Sequence, residues 1–308
     1  MVHKSAFIAI VGRPNVGKST LVNSLVGSKV AITSRHPNTT RTAIRGIITR
    51  KDLQLVLVDT PGVHKPKTAL GQRLNDVAQE SMESVDIVAL CIPANEEIRS
   101  GDQFIAQEIA RHRNAKKFLL LTKIDAVDKN SVLTKLSLVN DLAVSAGFSW
   151  DEIVPLAAKK GEQIPTLLEL FAKYAPESPA FFPDDMASDQ STEMLLSEYI
   201  REAAIADVFH EVPHSIAVVI DELSEREKRK PTDRPFFDIH ATIHVERDSQ
   251  KAIIIGEKGE RLKKVGMAAR AEIEKLMQGK VFLGLHIRVT PDWQRDPKAL
   301  RRFGLITE

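Results

Sequence analysis

Short apolar runs alternate with longer amphipathic stretches through the first half of the chain. Residues 7–11, 53–59, 86–92, 117–122 and 152–156 read as strands, several of them apolar almost throughout. Between them, 19–25, 70–81, 101–111 and 135–145 carry apolar residues at helical spacing, and 163–175 adds a helix docking through Leu167, Leu168 and Phe171. Such alternation predicts an α/β domain, a mostly parallel sheet covered by helices. Pro176, Pro179 and Pro183, with Asp184, Asp185 and Asp189, then break the pattern, which suits a linker better than an element. Beyond it, 192–210 is apolar at helical spacing, 216–220 and 236–245 read as strands, and a charged loop spans 222–234. Gly256–Gly259 precedes a helix over 260–277, and 281–289 is a last strand. The order helix, strand, strand, helical pair, strand predicts a small α+β domain. The expected division is a nucleotide domain over 1–175, an acidic, proline-containing linker over 176–190 and a C-terminal domain over 191–308.

Composition agrees with a well-cored protein: 43% of the 308 residues are hydrophobic and 27% charged. The formal net charge of +2 conceals segregation. Residues 1–175 carry a net of +6, residues 176–250 a net of −10, and residues 251–308 again +6. The acidic stretch reads either as a solubilising face or as one that keeps nucleic acid away. Cys91 is the only cysteine, which excludes an intrachain disulfide and a cysteine-rich metal site. No apolar run reaches the length that crosses a bilayer, and the run 6–11 is too short for a secretion signal. The histidines show no HExxH spacing.

Three segments at strand ends carry chemistry. Gly12-Arg13-Pro14-Asn15-Val16-Gly17-Lys18-Ser19 matches GxxxxGK[ST] directly after a strand. Backbone N–H groups in such a loop curl around phosphates while the following helix directs its positive end at them. Lys18 then reaches the β and γ phosphates and Ser19 helps to hold Mg²⁺. Asp59-Thr60-Pro61-Gly62 ends the second strand run: a carboxylate there can hold a magnesium-bound water, and the Gly62 N–H can meet the terminal phosphate. No separate phosphate-acceptor site is visible, so the chemistry reads as nucleotide hydrolysis. Thr122-Lys123-Ile124-Asp125 follows a further strand. Asp125 can accept from the N1 and N2 groups of guanine, a donor pair that adenine lacks, and the Lys123 stem can cover the ring.

With these residues in place, the chain resembles the Era family of bacterial GTPases over nearly its whole length. The four signatures of translation-factor-type GTPases stand as GRPNVGKS, Thr39-Thr40-Arg41, DTPG and TKID. In the C-terminal domain, Ile253–Arg261 looks like the GxxG segment of a KH domain of the second type, and VFLGLHIRV followed by Asp292-Trp293 looks like the family's closing strand. The resemblance implies a P-loop GTPase domain followed by a KH domain, binding of GTP and GDP, and slow hydrolysis of GTP. It implies a nucleotide site running from Gly12 through Thr20, with Asp59–Gly62, Thr122–Asp125 and Ala157-Ala158-Lys159. Ser19, Thr40 and Asp59 become the Mg²⁺ set, Thr40 in the GTP state, and Lys18, Thr40 and Gly62 the catalytic group. It further implies binding of 16S ribosomal RNA near its 3′ end, a role in rRNA processing and late 30S subunit assembly, a monomer in the cytoplasm, and peripheral contact with the inner face of the cell membrane.

Three positions depart from the family. Thr122 stands where asparagine is usual and cannot make the same amide contacts. Ala157-Ala158 replaces Ser-Ala, which removes a hydroxyl. Glu257 stands where lysine is common, and a carboxylate beside RNA phosphate is unfavourable, with Lys258 as an offset. In hydrolysis, Val63 occupies the position where other GTPases place a water-orienting glutamine. His64 follows but is a base by adjacency alone. The preferred account is positioning of water by backbone and Mg²⁺, with a monovalent cation such as K⁺ near Asn15 as an optional addition. For RNA, Gly256 and Gly259 allow close backbone approach. Lys258, Arg261, Lys263 and Lys264, beside Glu257, are the phosphate contacts, and Ile254 and Ile255 lie against the bases or the core. Trp293 is read as a core aromatic before a base-stacking one. The rival reading is a GTPase switch acting through a protein or membrane partner, and a more distant one a DNA-handling ATPase, which Asp125 opposes.

Overall fold

The computed structural model describes residues 2–36, 39–62, 69–206, 208, 215–227 and 234–305. The chain folds as two compact units. Apart from short stretches at 34–36 and 68–70, the first runs to Asp189 and the second begins at Gln190.

The first unit is a six-stranded sheet. Its strands are β1 (Lys4–Val11), β2 (Ile44–Arg50), β3 (Leu53–Asp59), β4 (Ile87–Pro93), β5 (Lys116–Thr122) and β6 (Glu152–Pro155), in the order β2-β3-β1-β4-β5-β6. All neighbours are parallel except β2 and β3. Among the described residues five α-helices accompany them: α1 (Lys18–Val26), α2 (Ala69–Glu80), α3 (Ser100–Arg111), α4 (Lys129–Ala146) and α5 (Ile164–Tyr174). The strands read as unbroken apolar runs because both faces of a parallel sheet are covered. Ile8, Ile10, Leu55, Leu57, Phe118 and Leu120 pack with residues of α1 and α5. Their alternates Ala9, Val11, Leu90, Ile92 and Leu119 pack with α3 and α4.

Two elements depart from the sequence expectation. The edge strand β2 has no counterpart in it; its sequence, IRGIITR, mixes arginines with isoleucines and carries Gly46. That glycine is required, because a Cβ there would lie 2.7 Å from a Val26 methyl carbon of α1. Helix α4 begins six residues before the expected 135, capped by Asp128, whose side chain accepts from Ser131 N. Those added residues are almost all exposed, so no apolar periodicity marks them.

The proline-marked stretch holds no helix or regular strand, yet it is packed along the first unit. Isolated bridges join Lys4 to Glu177 and Gly46 to Ser188, and Ile47 N donates to Ala187 O at 2.9 Å. The fully buried Gln54 fixes its middle. Its Oε1 accepts from Phe181 N at 2.7 Å and Phe182 N at 2.9 Å, while Nε2 donates to Phe182 O at 2.8 Å. Arg45 meets Asp189 at 2.6 Å, so one carboxylate of the acidic stretch is paired.

The second unit contains α6 (Thr192–Ile205), β7 (Ala217–Glu225), β8 (Phe236–Val245), α7 (Asp248–Ile255), α8 (Glu260–Met277), β9 (Lys280–Val289) and α9 (Pro297–Arg302). Its sheet order is β7-β8-β9, with β7 and β8 antiparallel and β8 and β9 parallel. Trp293 is fully buried and donates to Ser215 O at 3.0 Å, so it is the core aromatic of the two alternatives. Helix α9 was not foreseen; it seals this corner with Leu300, and Phe303 just beyond it stacks near His244 and Trp293. His244 is buried, its Nδ1 2.9 Å from Thr290 Oγ1. Burial, with Arg302 and Arg288 nearby, pushes it down to about 4.

Two outcomes follow. Gln54→Ala removes a side chain that serves three backbone groups and is expected to destabilise the first unit by about 1–3 kcal/mol. Urea unfolding and chymotrypsin cleavage at Phe181 or Phe182 check this, the latter becoming faster than in the parent. The second concerns His244, which stays neutral in the fold. Below the ordinary value of 6.5 the unfolded chain takes up a proton that the folded chain refuses until about pH 4. Stability is therefore full above pH 6.5 and is lost toward pH 4, by at most about 1.4 kcal/mol per pH unit. Urea midpoints between pH 7.5 and 4.5 should fall more steeply in the parent than in His244→Phe.

Candidate functional site

Strand order reverses around β1, which lies between β3 and β4. In open parallel sheets, ligand sites lie at such a reversal, beyond the carboxyl ends of the strands. All three motifs emerge there, after β1, β3 and β5. The pairing of Ile10 with Asp59 sets the first two side by side, and Thr60 Oγ1 donates to Ile10 O at 2.9 Å to lock them.

The phosphate loop passes from β1 into α1. Lys18 is buried, and its Nζ donates to the carbonyls of Gly12 and Arg13 at 3.0 and 2.9 Å. Burial lowers its ammonium from the ordinary range, opposed by nearby Asp59. Gly62 approaches Pro14 so closely that a Cβ would lie 2.6 Å from the Pro14 nitrogen. Only glycine brings the DTPG turn against the phosphate loop in this way.

Ser19, Thr40 and Asp59 converge. Ser19 Oγ donates to Asp59 Oδ2 at 2.6 Å, Thr40 Oγ1 donates to the same oxygen at 3.1 Å, and the two hydroxyls are 3.0 Å apart. Asp59 is fully buried and its Oδ1 has no hydrogen-bond partner among the described residues. Burial raises its carboxyl above the ordinary range, with Lys18 and the two hydroxyls pulling it back. Oxygen donors around an orphaned, buried carboxylate oxygen fit a hard divalent cation such as Mg²⁺.

The base motif sits at the end of β5. Thr122 Oγ1 donates to Val16 O at 2.6 Å, which stitches this strand to the phosphate loop. Lys123 takes a left-handed backbone (φ 57°) and starts the short turn holding Ile124 and Asp125. Asp125 lies 3.8 Å from Lys160 Nζ. Ile124 N donates to Leu156 O at 3.4 Å, which brings Ala157-Ala158-Lys159 beside the motif, and Ser24 Oγ of α1 donates to Ala158 O at 3.1 Å. The four segments thus gather at one end of the sheet. Val63 and His64 lie outside the described residues. Cys91, buried beneath the phosphate loop, has its thiol pushed up to about 12 by burial and is chemically quiet.

Two carboxylates of this site have no sequence motif. Glu96 and Asp102, from the loop after β4 and the first turn of α3, hold the Arg13 side chain. Asp102 could be suspected as a helix-capping residue, since it accepts from Arg99 N at 2.9 Å. Nothing along the chain links it to Arg13, 89 residues away.

In the second unit the GEKG turn lies between α7 and α8. Gly256 has φ 71°, and a Cβ there would sit 2.6 Å from that of Arg261, so this position admits only glycine. Glu257, Lys258, Lys263 and Lys264 are exposed, while Gly259, Arg261 and Ile255 are partly buried. Ile254 is fully buried, so of its two expected places it takes the core. It lies on the inward side of a two-turn helix and is unavailable to a base. An open groove bounded by α8 and β9 is lined by Gly259, Leu262, Lys263, Met267, Arg270 and Phe282.

Comparisons with known proteins bear on both units. Residues 7–123 match the family model described as 50S ribosome-binding GTPase, and residues 211–294 match the KH domain model. The chain is 50% identical to GTPase Era of Streptomyces coelicolor over 303 residues, which covers 98% of this chain and 95% of that protein. It is 49% identical to GTPase Era of Mycobacterium tuberculosis over 302 residues, covering 97% and 98%. Two solved structures superpose with a TM-score of 0.91 over 99% of this chain and 100% of theirs. One is Era in complex with MgGDPNP and nucleotides 1506–1542 of 16S ribosomal RNA, at 36% identity. The other is an Aquifex aeolicus Era variant bound to GDP and AlF₄⁻, at 37% identity.

Asp59→Asn keeps the shape of the cluster but removes the charge that faces a cation. The Mg²⁺ concentration for half-maximal nucleotide hydrolysis is expected to rise about ten- to a hundredfold, the range seen when partners of a metal site are removed. A Mg²⁺ titration of turnover measures it.

Proposed function

The chain belongs to the Era family of GTPases, and on that premise we propose that its phosphate loop, DTPG turn and TKID turn form one GTP site serving an RNA-binding second unit. The protein hydrolyses GTP to GDP and phosphate. The observation that carries the reading of the site is the convergence of Ser19, Thr40 and Asp59 on one buried carboxylate oxygen beside Lys18.

Ser19, Thr40 and Asp59 would hold Mg²⁺, which would supply positive charge at the phosphates. Lys18 then turns from the loop carbonyls to the phosphates, exchanging two hydrogen bonds to neutral oxygens for charge-assisted ones. The Gly62 N–H meets the terminal phosphate, and with Thr40 it marks where the γ-phosphate stands. Asp125 selects guanine, Lys123 covers the ring, and the backbone at Ala157 and Ala158 closes the base pocket. Val63 gives no group to orient water, so intrinsic turnover is slow. A K⁺ beside Asn15 would add charge at the same phosphates.

The second unit is read as binding 16S ribosomal RNA near its 3′ end, in the service of rRNA processing and late 30S subunit assembly. The GEKG turn, the exposed Lys258, Lys263 and Lys264, and the relative's RNA complex support this. The same reading places a monomer in the cytoplasm with peripheral contact at the inner membrane face.

Binding of a 16S 3′-end oligonucleotide across a salt series tests the RNA reading. Log affinity should fall linearly with log salt, and Lys258→Ala should reduce the slope by about 0.7, the loss of one single-strand phosphate contact. Salt-independent binding, or equal binding of a scrambled oligonucleotide, would count against it and in favour of a protein or membrane partner.

A further inference from the structure

Glu96 lies outside every motif, in the loop between β4 and α3, yet its two carboxylate oxygens reach two different loops of the nucleotide site. Oε2 accepts from the Arg13 guanidinium, with Nη2 at 3.3 Å and Nη1 at 3.4 Å. Oε1 lies 3.5 Å from Lys123 Nζ. Its main chain is held as well, since Lys135 Nζ of α4 donates to Glu96 O at 2.6 Å.

Arg13 is gripped from a second side. Its Nε donates to Asp102 Oδ2 at 2.8 Å, and Asp102 is fully buried. The arginine stem lies over Gly101, where a Cβ would come within 3.0 Å of Arg13 Cδ. The Arg13 side chain is therefore turned toward Asp102 and Glu96 and into the protein. What the loop offers to a nucleotide at this position is backbone.

We infer that Glu96 is a positioning residue for nucleotide binding, a strut that ties the phosphate loop through Arg13 to the base-covering Lys123 without touching the nucleotide. Lysine side chains at a surface sample many rotamers, and ordering one on binding opposes affinity. A carboxylate beside Nζ restricts Lys123 before the base arrives. The Glu96 side chain is 27% exposed and that of Arg13 11%, so the pair is less screened than a surface ion pair. Glu96 sits on a loop outside the two cores of the first unit, with Arg99 Nη2 3.9 Å from its Oε2.

The inference rests on the reading that Lys123 covers the guanine ring, and the test separates the two. Affinity for N-methylanthraniloyl-GDP is measured for Glu96→Gln, Glu96→Asp, Lys123→Ala, Arg13→Ala and the doubles Glu96→Gln/Lys123→Ala and Glu96→Gln/Arg13→Ala. Glu96→Gln and the shorter Glu96→Asp are each expected to weaken binding three- to tenfold. In each double the loss should fall at least threefold short of the product of the singles, the signature of residues acting together. For Glu96→Gln, turnover at saturating GTP should stay within twofold while KM rises, a split that general destabilisation does not produce. If Glu96→Gln binds within twofold of the parent while Lys123→Ala is weakened tenfold, the strut is overturned and base covering stands. Losses that simply multiply overturn it too. A silent Lys123→Ala overturns the base-covering reading and the strut with it.

Discussion

Everything at the nucleotide site depends on burying Lys18, at the start of α1, near Asp59, at the end of β3. The register of β1 on β3 opposes Ile10 to Asp59, one residue before the phosphate loop begins its turn from Val11. Burial disfavours both charged forms, raising the Asp59 carboxyl and lowering the Lys18 ammonium, and each partly relieves the other. A pair held so far from water is poor at stabilising the fold by itself. Its unmet needs are directional, however. Asp59 Oδ1, without a hydrogen-bond partner among the described residues, suits a cation, and Lys18, which donates to the carbonyls of Gly12 and Arg13, suits an anion. On the proposed reading a magnesium nucleotide answers both, so part of the cost of burying the two charges is relieved in the complex.

That arrangement was largely legible along the chain because each part sits at a strand end announced by its own pattern. Apolar runs placed the strands, and GxxxxGKS, DTPG and TKID each followed one. The features without a signal in the sequence lack either periodicity or a local partner. Strand β2 is a sheet edge, so only part of it is buried, and arginines interrupt its apolar positions. The first turn of α4 is solvated on nearly every side. Helix α9 is six residues long, too short for a period. Glu96 and Asp102 matter through Arg13, and nothing within a sequence window connects them. The proline-rich stretch was legible as an irregular segment, but its docking depends on Gln54, a polar residue inside a strand whose importance comes from three backbone groups more than 120 positions away.

The second unit makes a related point about charge. Its basic segment begins at Lys251, yet the residues available to a polyanion are set by helix geometry. Helix α8 turns Val265, Ala269 and Ile273 inward, leaving Lys263 and Lys264 outside. The tight GEKG turn pushes Lys258 into a left-handed conformation (φ 49°) with its side chain exposed. Glu257 is exposed beside it, so the turn carries one charge of each sign. Attraction of phosphate must then come from Lys258 together with the following helix. The net charge of the whole chain bears on none of this.

Thr122 illustrates how a motif can lose one contact and keep another. A hydroxyl has one proton to give, and here it goes to the Val16 carbonyl at 2.6 Å, with Ile92 O more distant at 3.4 Å. That bond joins the base turn to the phosphate loop, so threonine preserves the mechanical link between the two halves of the site. It leaves no proton for a base. On the proposed reading, selection of guanine then falls on Asp125 and on backbone near Ala157, and the grip on the ring on Lys123. A site reduced to fewer direct base contacts gains more from having those that remain ordered in advance. Lys123 meets Glu96 in this chain, and its preorganisation matters most where the neighbouring residue of the motif has given its hydrogen bond to the protein.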